Sequence, residues 1–160
     1  MELEELLIQY SQEVEKALKD ELQNNGRVAS GKLLNSISTK INYLGDSITV
    51  TLYAEDYLKW LNDGRKPSNG EGNGSLKEDI LKWIKIKHIV PRENKGKVPT
   101  EKQLAYLIAR KIHREGYKGD NQAYSNTVEE INAKYEPLIQ ECLKEMFDNY
   151  ATAMFNKILK

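Results

Sequence analysis

The chain has 160 residues, 24 basic and 24 acidic side chains, and a single cysteine. A chain of this length can bury about 70% of its unfolded surface, so it needs no disulfides or structural metal. One cysteine cannot form an intramolecular disulfide, and Cys142 lies in a helical pattern that predicts a buried, inert thiol. The acidic N-terminus is unlike a signal peptide, and no apolar run approaches the roughly 20 residues of a membrane span. We therefore expect a soluble protein from a reducing compartment.

Charge is unevenly distributed along this neutral chain. Residues 1–22 carry two lysines against seven acidic residues, a net of −5. Residues 77–118 carry twelve Lys and Arg against five acidic residues, a net of +7. An acidic start and a basic middle suit head-to-tail packing between subunits, and the basic part also suits a phosphate backbone. The alternative is that both are solvated helix faces.

The first third of the chain predicts a helix followed by a hairpin. Apolar residues recur at spacings of three and four over residues 3–22, and Asn25-Gly26 supplies a stop. Ser30 is placed to cap a short helical turn. Over residues 37–54 the apolar residues then alternate around a Leu44-Gly45-Asp46 turn, which predicts an antiparallel hairpin with one buried face.

Helical spacing returns after the hairpin. We predict a short helix over 56–62, a mobile loop over 65–74, and a helix over 76–87 with Leu76, Ile80, Leu81 and Ile84 inward. A second polar loop over 91–99 precedes another helix. This helix is capped by Thr100 and Gln103, stops at Gly116 and runs through the apolar residues Leu104, Leu107, Ile108 and Ile112.

The C-terminal part predicts one long helical region over 127–160. Thr127 and Glu130 have the spacing of a capping box at its start. Pro137 is expected to kink or split the region near Tyr135. The fold class is therefore α+β: an antiparallel sheet, the hairpin at about 37–54, flanked by several helices in one domain of residues 1–160. Within it we separate the N-terminal helix 3–22, a hairpin and helix core over 30–119, and the C-terminal region.

Residue patterns that carry chemistry are scarce. His88 and His113 are the only histidines, and no spacing typical of a zinc site or of paired catalytic carboxylates occurs. The glycines of 70–74 lack the Gly-Lys-Ser/Thr and the preceding strand that a phosphate loop requires. We therefore predict no catalytic residues, no metal, no cofactor and no enzyme activity.

The basic segment has two interpretations. Trp83 lies among lysines, and an aromatic ring among cations can bind single-stranded nucleic acid by stacking and charge. Alternatively, Trp83 shares the buried helix face with Ile80 and Ile84 while the lysines are solvated. The second interpretation is favoured because the neighbours of Trp83 on its helical face are apolar.

Three segments together resemble a known family: ASGKLLNSI (29–37), LYAEDYLKWLNDGRKPS (52–68), and the helix pair LKEDILKWIKIKHI (76–89) and LAYLIARKIHREGYKG (104–119). In order and spacing they are similar to the neck and tail-completion proteins of tailed bacteriophages, also called head–tail connector or minor tail proteins. The similarity covers roughly residues 29–119. It departs from the family pattern at Asn62-Asp63, where the expected acidic residue is displaced by one, and in the glycine-rich insertion 69–74.

The resemblance implies a virion structural protein that forms a homo-oligomeric ring in the neck or tail terminus. Its expected partners are copies of itself and portal, connector or tail-tube proteins, with non-specific contact to packaged DNA and none to a membrane. Its expected location is the virion, after assembly in the host cytoplasm. The alternative is a nucleic-acid-binding protein that uses the basic segment 77–118.

Two groups of residues follow from these expectations. The interface candidates come from the best-matching segment and from the acidic helix, and they are Tyr53, Tyr57, Trp60, Arg65, Glu4, Glu5 and Glu13. The aromatic ones could instead dock the short helix on the sheet, which is the favoured interpretation because a short helix needs tertiary packing. The residues expected to face a DNA channel are Lys85, Lys87, Lys95 and Lys97.

Overall fold

The computed structural model describes residues 2–45, 47–68, 75–93 and 96–159. Along the chain they form α1 (Leu3–Asn24), α2 (Lys32–Ser36), β1 (Ser38–Leu44), β2 (Ser47–Tyr53), α3 (Tyr57–Asp63), α4 (Ser75–Ile86), α5 (Glu101–Glu115) and α6 (Ala123–Ile158). One antiparallel sheet of two strands accompanies these helices, so the α+β prediction is confirmed.

The contacts divide the chain into two compact units. The first takes the chain up to Asn25, residues 36–54 and the chain from Tyr124 onward; the second takes residues 26–35 and 55–123. The first is therefore assembled from segments far apart in sequence. That the chain forms one domain over 1–160 stays a prediction.

The core of the first unit follows the apolar stripe of α1. Leu6, Leu7, Val14, Leu18 and Leu22 are buried at the predicted helical spacing. From α6, the buried side chains are Tyr124, Ile131, Tyr135 and Cys142. The rings of Tyr10 and Tyr135 meet edge to face with centroids 5.5 Å apart. The helix ends at Asn24 beside Gly26, whose φ of 62° is left-handed, as the predicted stop requires.

The predicted antiparallel hairpin is present. Thr39 pairs with Leu52, Ile41 with Val50 and Tyr43 with Ile48, which places the side chains of these three pairs on one face. The prediction that this face is buried was wrong for the two strands. Ile37, just before β1, is buried, but every described residue of β1 and β2 is half-buried or exposed. Tyr43 and Ile48 are 58% and 41% exposed because α1 covers the hairpin only in part.

The second unit has its core between α4 and α5. Ile80, Ile84, Ala105 and Ala109 are buried there, and the capping box of Thr100 and Gln103 is present as predicted. The inward assignment of Trp83 was wrong. Trp83 is 42% exposed, and Leu107 on the other helix is 48% exposed, because the helices meet along the small residues Ala105 and Ala109.

The last helix departs most from its prediction. It begins at Ala123, ahead of the Thr127 expected as its cap, directly after Asn121 and Gln122, which both have positive φ. It is one assigned helix of 36 residues with Pro137 inside it. The split near Tyr135 was therefore wrong.

Candidate interaction surfaces

A polar cluster joins α1 to α6 within the first unit. Lys134 Nζ donates to both carboxylate oxygens of Glu13 at 2.7 Å, and Tyr135 Oη donates to Glu13 Oε2 at 2.7 Å. The hydrogen bonds from Lys134 and Tyr135 hold the pKa of Glu13 below its usual value, and the same bond to Glu13 raises the pKa of Tyr135. Glu13 therefore has a structural role inside the subunit. Its predicted role between subunits stays a prediction.

Glu4 and Glu5 differ from Glu13 in their surroundings. Both are exposed in the first turn of α1, where negative charge complements the helix dipole. Glu4 also lines a cleft of about 470 Å³ between α1, the hairpin and α6. The cleft mixes apolar side chains such as Leu7, Ile48 and Met146 with acidic ones.

An exposed apolar surface lies on the second half of α6. From Leu143 to Leu159 no described side chain is buried. The exposed large apolar residues are Leu143 (48%), Met146 (53%), Phe147 (71%), Tyr150 (65%), Met154 (43%), Phe155 (67%) and Ile158 (75%). Most of them recur at spacings of three and four and form one stripe, which we call the α6 stripe. The spacing was visible in the sequence, but nothing local shows that no other element covers it.

The α6 stripe is not an extension of the core. At 3.6 residues per turn, Leu143, Phe147 and Tyr150 point on average about 105° around the helix axis from Ile131, Tyr135 and Cys142. Most apolar side chains after Cys142 therefore turn away from the surface that packs on α1, whereas Met146 lines the cleft beside Leu7. Cys142 itself is buried, as predicted.

In the second unit the segment Gly64–Ser68 crosses Gly116–Gly119. Arg65 and Tyr117 exchange backbone hydrogen bonds of 2.7 Å in both directions. Gly64 and Gly116 both have φ of 79°, and an added Cβ on either would overlap a backbone carbonyl oxygen of the other segment. The Gly-Arg and Gly-Tyr motifs are thus explained by a close backbone crossing.

This crossing bears on the predicted mobile loop over 65–74. Ser68 N donates to the His113 carbonyl oxygen at 2.9 Å, and Ser68 Oγ lies 2.6 Å from His113 Nδ1. Mobility was therefore wrong for 65–68, which α5 and the segment after it hold in place; residues 69–74 lie outside the described ones. Although serine and histidine can form a nucleophile and base, both contacts here fix the loop to α5. No carboxylate within the described residues is recorded on the other imidazole nitrogen.

The aromatic candidates are divided between the two units. Tyr53 ends β2 in the first unit and is 50% exposed. Tyr57 and Trp60 lie on α3 in the second unit and are 41% and 48% exposed. The pKa of Tyr57 is raised above its usual value, mainly by burial, and a hydrogen bond from the Leu33 backbone offsets part of that rise. Half of the Trp60 side chain is thus outside the core, and both interpretations of this group stay open.

The predicted DNA contacts differ in their surroundings. Lys87 Nζ donates to the carbonyl oxygens of Gly26, at 3.4 Å, and of Val28, so its charge serves the fold of the second unit. Lys85 and Lys97 are exposed. Lys95 lies outside the described residues. Lys77 Nζ sits 5.9 Å from the centre of the Tyr106 ring on the same unit.

A metal site and a membrane-spanning helix are two further kinds of functional feature. The described part of the chain brings together no group of three or more His, Cys, Asp or Glu side chains able to hold a metal. None of its helices combines the length and apolar character needed to cross a membrane. Comparison of the chain with protein families, curated proteins and solved structures finds no match to any of them. Functional assignment therefore depends on the surfaces just described and on the resemblance of residues 29–119.

Proposed function

We propose that this protein is a structural subunit of a tailed-phage particle, which assembles head to tail into a ring in the neck or tail terminus. The observation that carries the proposal is the α6 stripe. An exposed apolar face of this kind marks a surface that binds another protein, a membrane or a ligand, and we assign it to a neighbouring subunit.

The size of the α6 stripe supports a stable contact. Six of the seven large side chains, all but Phe155, point within about 70° of one direction and are 43–75% exposed. At about 200 Å² each, they leave about 700 Å² of side-chain surface to be covered. That approaches the roughly 800 Å² per partner of a standard protein–protein interface.

The choice of a phage neck or tail comes from the resemblance of residues 29–119. In that setting the subunits bind one another and then portal, connector or tail-tube proteins, and the ring is retained in the virion after assembly in the host cytoplasm. A head-to-tail contact closes into a ring when its rotation returns to the start. The acidic α1 and the basic α4–α5 region supply opposite charges for such a contact.

The test uses the purified full chain at micromolar concentration. Phe147→Asp combined with Tyr150→Asp places two charges in the α6 stripe, and Thr152→Asp, on the exposed polar side of the same helix, is the matched control. We expect rings by negative-stain electron microscopy and sedimentation for the wild type and the control. The double variant should stay folded by circular dichroism and lose the rings. A wild type with no ring, or rings that survive both charges, would overturn the proposal.

One observation favours nucleic-acid binding as the second candidate. Trp83 is 42% exposed, and Lys82 and Lys85 beside it are exposed too. An indole ring flanked by lysines can stack on a nucleic-acid base while the lysine ammonium groups bind the phosphates. Single-stranded DNA should then quench tryptophan fluorescence in the wild type but much less in Trp83→Ala, and the affinity should fall steeply with salt. Trp60→Ala, which removes the other tryptophan, is the control.

A further inference from the structure

The two edges of the hairpin are not equivalent. On β1, the N–H of Thr39 donates to Glu15 Oε1 at 2.6 Å and its hydroxyl donates to the same oxygen at 2.7 Å, so the side chain of α1 occupies this edge. Burial raises the pKa of Glu15, but the hydrogen bonds from Thr39 and the nearby Lys19 outweigh it and lower that pKa overall. The carboxylate therefore covers the β1 edge at Thr39.

The hydrogen bond from Thr39 N–H to Glu15 also shows which backbone groups of β2 point away from β1. In an antiparallel pair, a residue whose N–H points away from the partner strand belongs to a non-hydrogen-bonded pair, and such pairs alternate with hydrogen-bonded ones. Thr39 pairs with Leu52, so the N–H and C=O of Leu52 also point outward. By alternation, Val50 and Ile48 do the same.

Those outward groups are unoccupied within the described residues. No backbone hydrogen bond other than those inside the hairpin involves β2, and its side chains are half-buried or exposed. The strand, Ser-Ile-Thr-Val-Thr-Leu-Tyr, contains no charge, proline or glycine. These are the residues with which natural edge strands avoid pairing with another chain. The β2 edge is thus open and carries none of the usual protection.

The sequence of β2 is nearly symmetric about its central residue, so the strand can pair with a second copy of itself. About Val50, Thr49 mirrors Thr51 and Ile48 mirrors Leu52. When two copies meet antiparallel on a two-fold axis at Val50, each Val50 faces the other, Ile48 faces Leu52 and Thr49 faces Thr51. Every outward N–H and C=O of Ile48, Val50 and Leu52 then finds a partner. The aliphatic side chains share one face, the threonines pair on the other, and no like charges are opposed.

We propose that two copies of this protein pair through their β2 strands, antiparallel and centred on Val50, into a continuous four-stranded sheet. This contact is isologous and closes on itself, unlike the head-to-tail contact of the α6 stripe. It uses a different surface and does not rest on the proposed phage function. Its effect is to join the half-exposed apolar faces of two hairpins into one wider face.

Cysteine cross-linking tests the register. In a Cys142→Ala background, Val50→Cys places two thiols in a hydrogen-bonded pair with Cα atoms about 5.5 Å apart, within the range of a disulfide. Ile48→Cys is the matched control, because in this register each Ile48 faces Leu52 and its own copy is roughly 13 Å away. Mild oxidation should cross-link the full chain through residue 50 and not through residue 48. Equal cross-linking, none at all, or a preference for residue 48 would overturn the pairing.

Two further measurements keep this test independent. In the Phe147→Asp, Tyr150→Asp chain, which is expected to form no rings, Val50→Pro removes only an outward N–H, which an edge strand tolerates. It should halve the dimer mass in dilute solution while the circular dichroism spectrum is retained. A dimer that survives this change contradicts the proposal. Val50→Cys should also cross-link in the Phe147→Asp, Tyr150→Asp chain. Loss of rings with cross-linking intact therefore separates the two contacts.

Discussion

The two halves of α6 are continuous in backbone and opposite in environment. Up to Cys142 the helix buries one large side chain every one to two turns against the rest of the first unit, including Ile131 and Tyr135. Beyond Cys142 it has as many large apolar residues, yet none of those described is buried. The second half runs for roughly 24 Å at 1.5 Å per residue. The comparison indicates that hydrophobicity alone does not define the core; what lies across from each face does.

The largest expected difference between the halves is in stability. Ile131→Ala removes a buried side chain, 7% exposed, and should lower the free energy of unfolding by about 2–5 kcal/mol. Phe147→Ala, on the α6 stripe, should change it by less than about 0.5 kcal/mol in dilute solution, because that ring is 71% exposed. Urea denaturation of both full-length variants measures the difference. Similar losses for the two would show that the second half has a folded partner within the chain.

Charge reversal separates the acidic residues of α1. Glu13→Lys opposes Lys134 and removes the acceptor of Tyr135, so we expect lower stability and a lower Tm. Glu4→Lys with Glu5→Lys loses only favourable helix-dipole interactions, about 1 kcal/mol in total. The double reversal should instead impair assembly, which sedimentation detects. If assembly were unaffected, the acidic start would be a solvated face.

The Glu13 cluster also gives the first half of α6 a pH dependence. The pKa of Glu13 is lowered in the folded chain, so the folded state binds fewer protons at this carboxyl than the unfolded state. Its contribution is present above the unfolded pKa of about 4.3 and is lost as the pH falls through the lower folded value. Acidification should therefore lower the Tm of the wild type more than that of Glu13→Gln. Parallel Tm curves for the two would contradict this role.

The smallest expected effect is a gain in stability. Ser11 is 6% exposed on the core side of α1, and its hydroxyl has no hydrogen-bond partner among the described residues. Ser11→Ala removes an unsatisfied polar group and favours the helix, so it should raise the free energy of unfolding by about 1 kcal/mol. Thermal denaturation against Gln12→Ala, at an exposed position of the same helix, provides the comparison. A loss of stability would mean that the hydroxyl is satisfied in solution.

Sequence patterns predicted the elements whose signals are local. The stripe of α1, the two alternating strands and the Thr100–Gln103 capping box all depend on residues a few positions apart, and the structure has each of them. The start of α6 was missed because Asn121 and Gln122 adopt positive φ, which their residue types permit but do not require.

The candidate surfaces were less accessible to sequence reasoning. The contact of Glu13 with Lys134 spans 121 positions, and no periodicity encodes it. Whether Leu107 or Phe147 is covered depends on which element packs across from it. Likewise, the alternating pattern of β2 predicted a strand, but only the hydrogen bond from Thr39 to Glu15 shows which backbone groups of β2 point away from β1.

The discontinuous first unit also sets an order of folding during synthesis. All of the second unit has been made once Ala123 is added, so it can fold while α6 is still being translated. The first unit, although it contains the N-terminus, must wait for Ile131, Tyr135 and Cys142. Between Ala54 and Cys142 a ribosome adding about 5–20 residues per second needs about 4–18 s. For that interval the apolar stripe of α1 and the hairpin lack their partner helix, and holding chaperones have time to bind them.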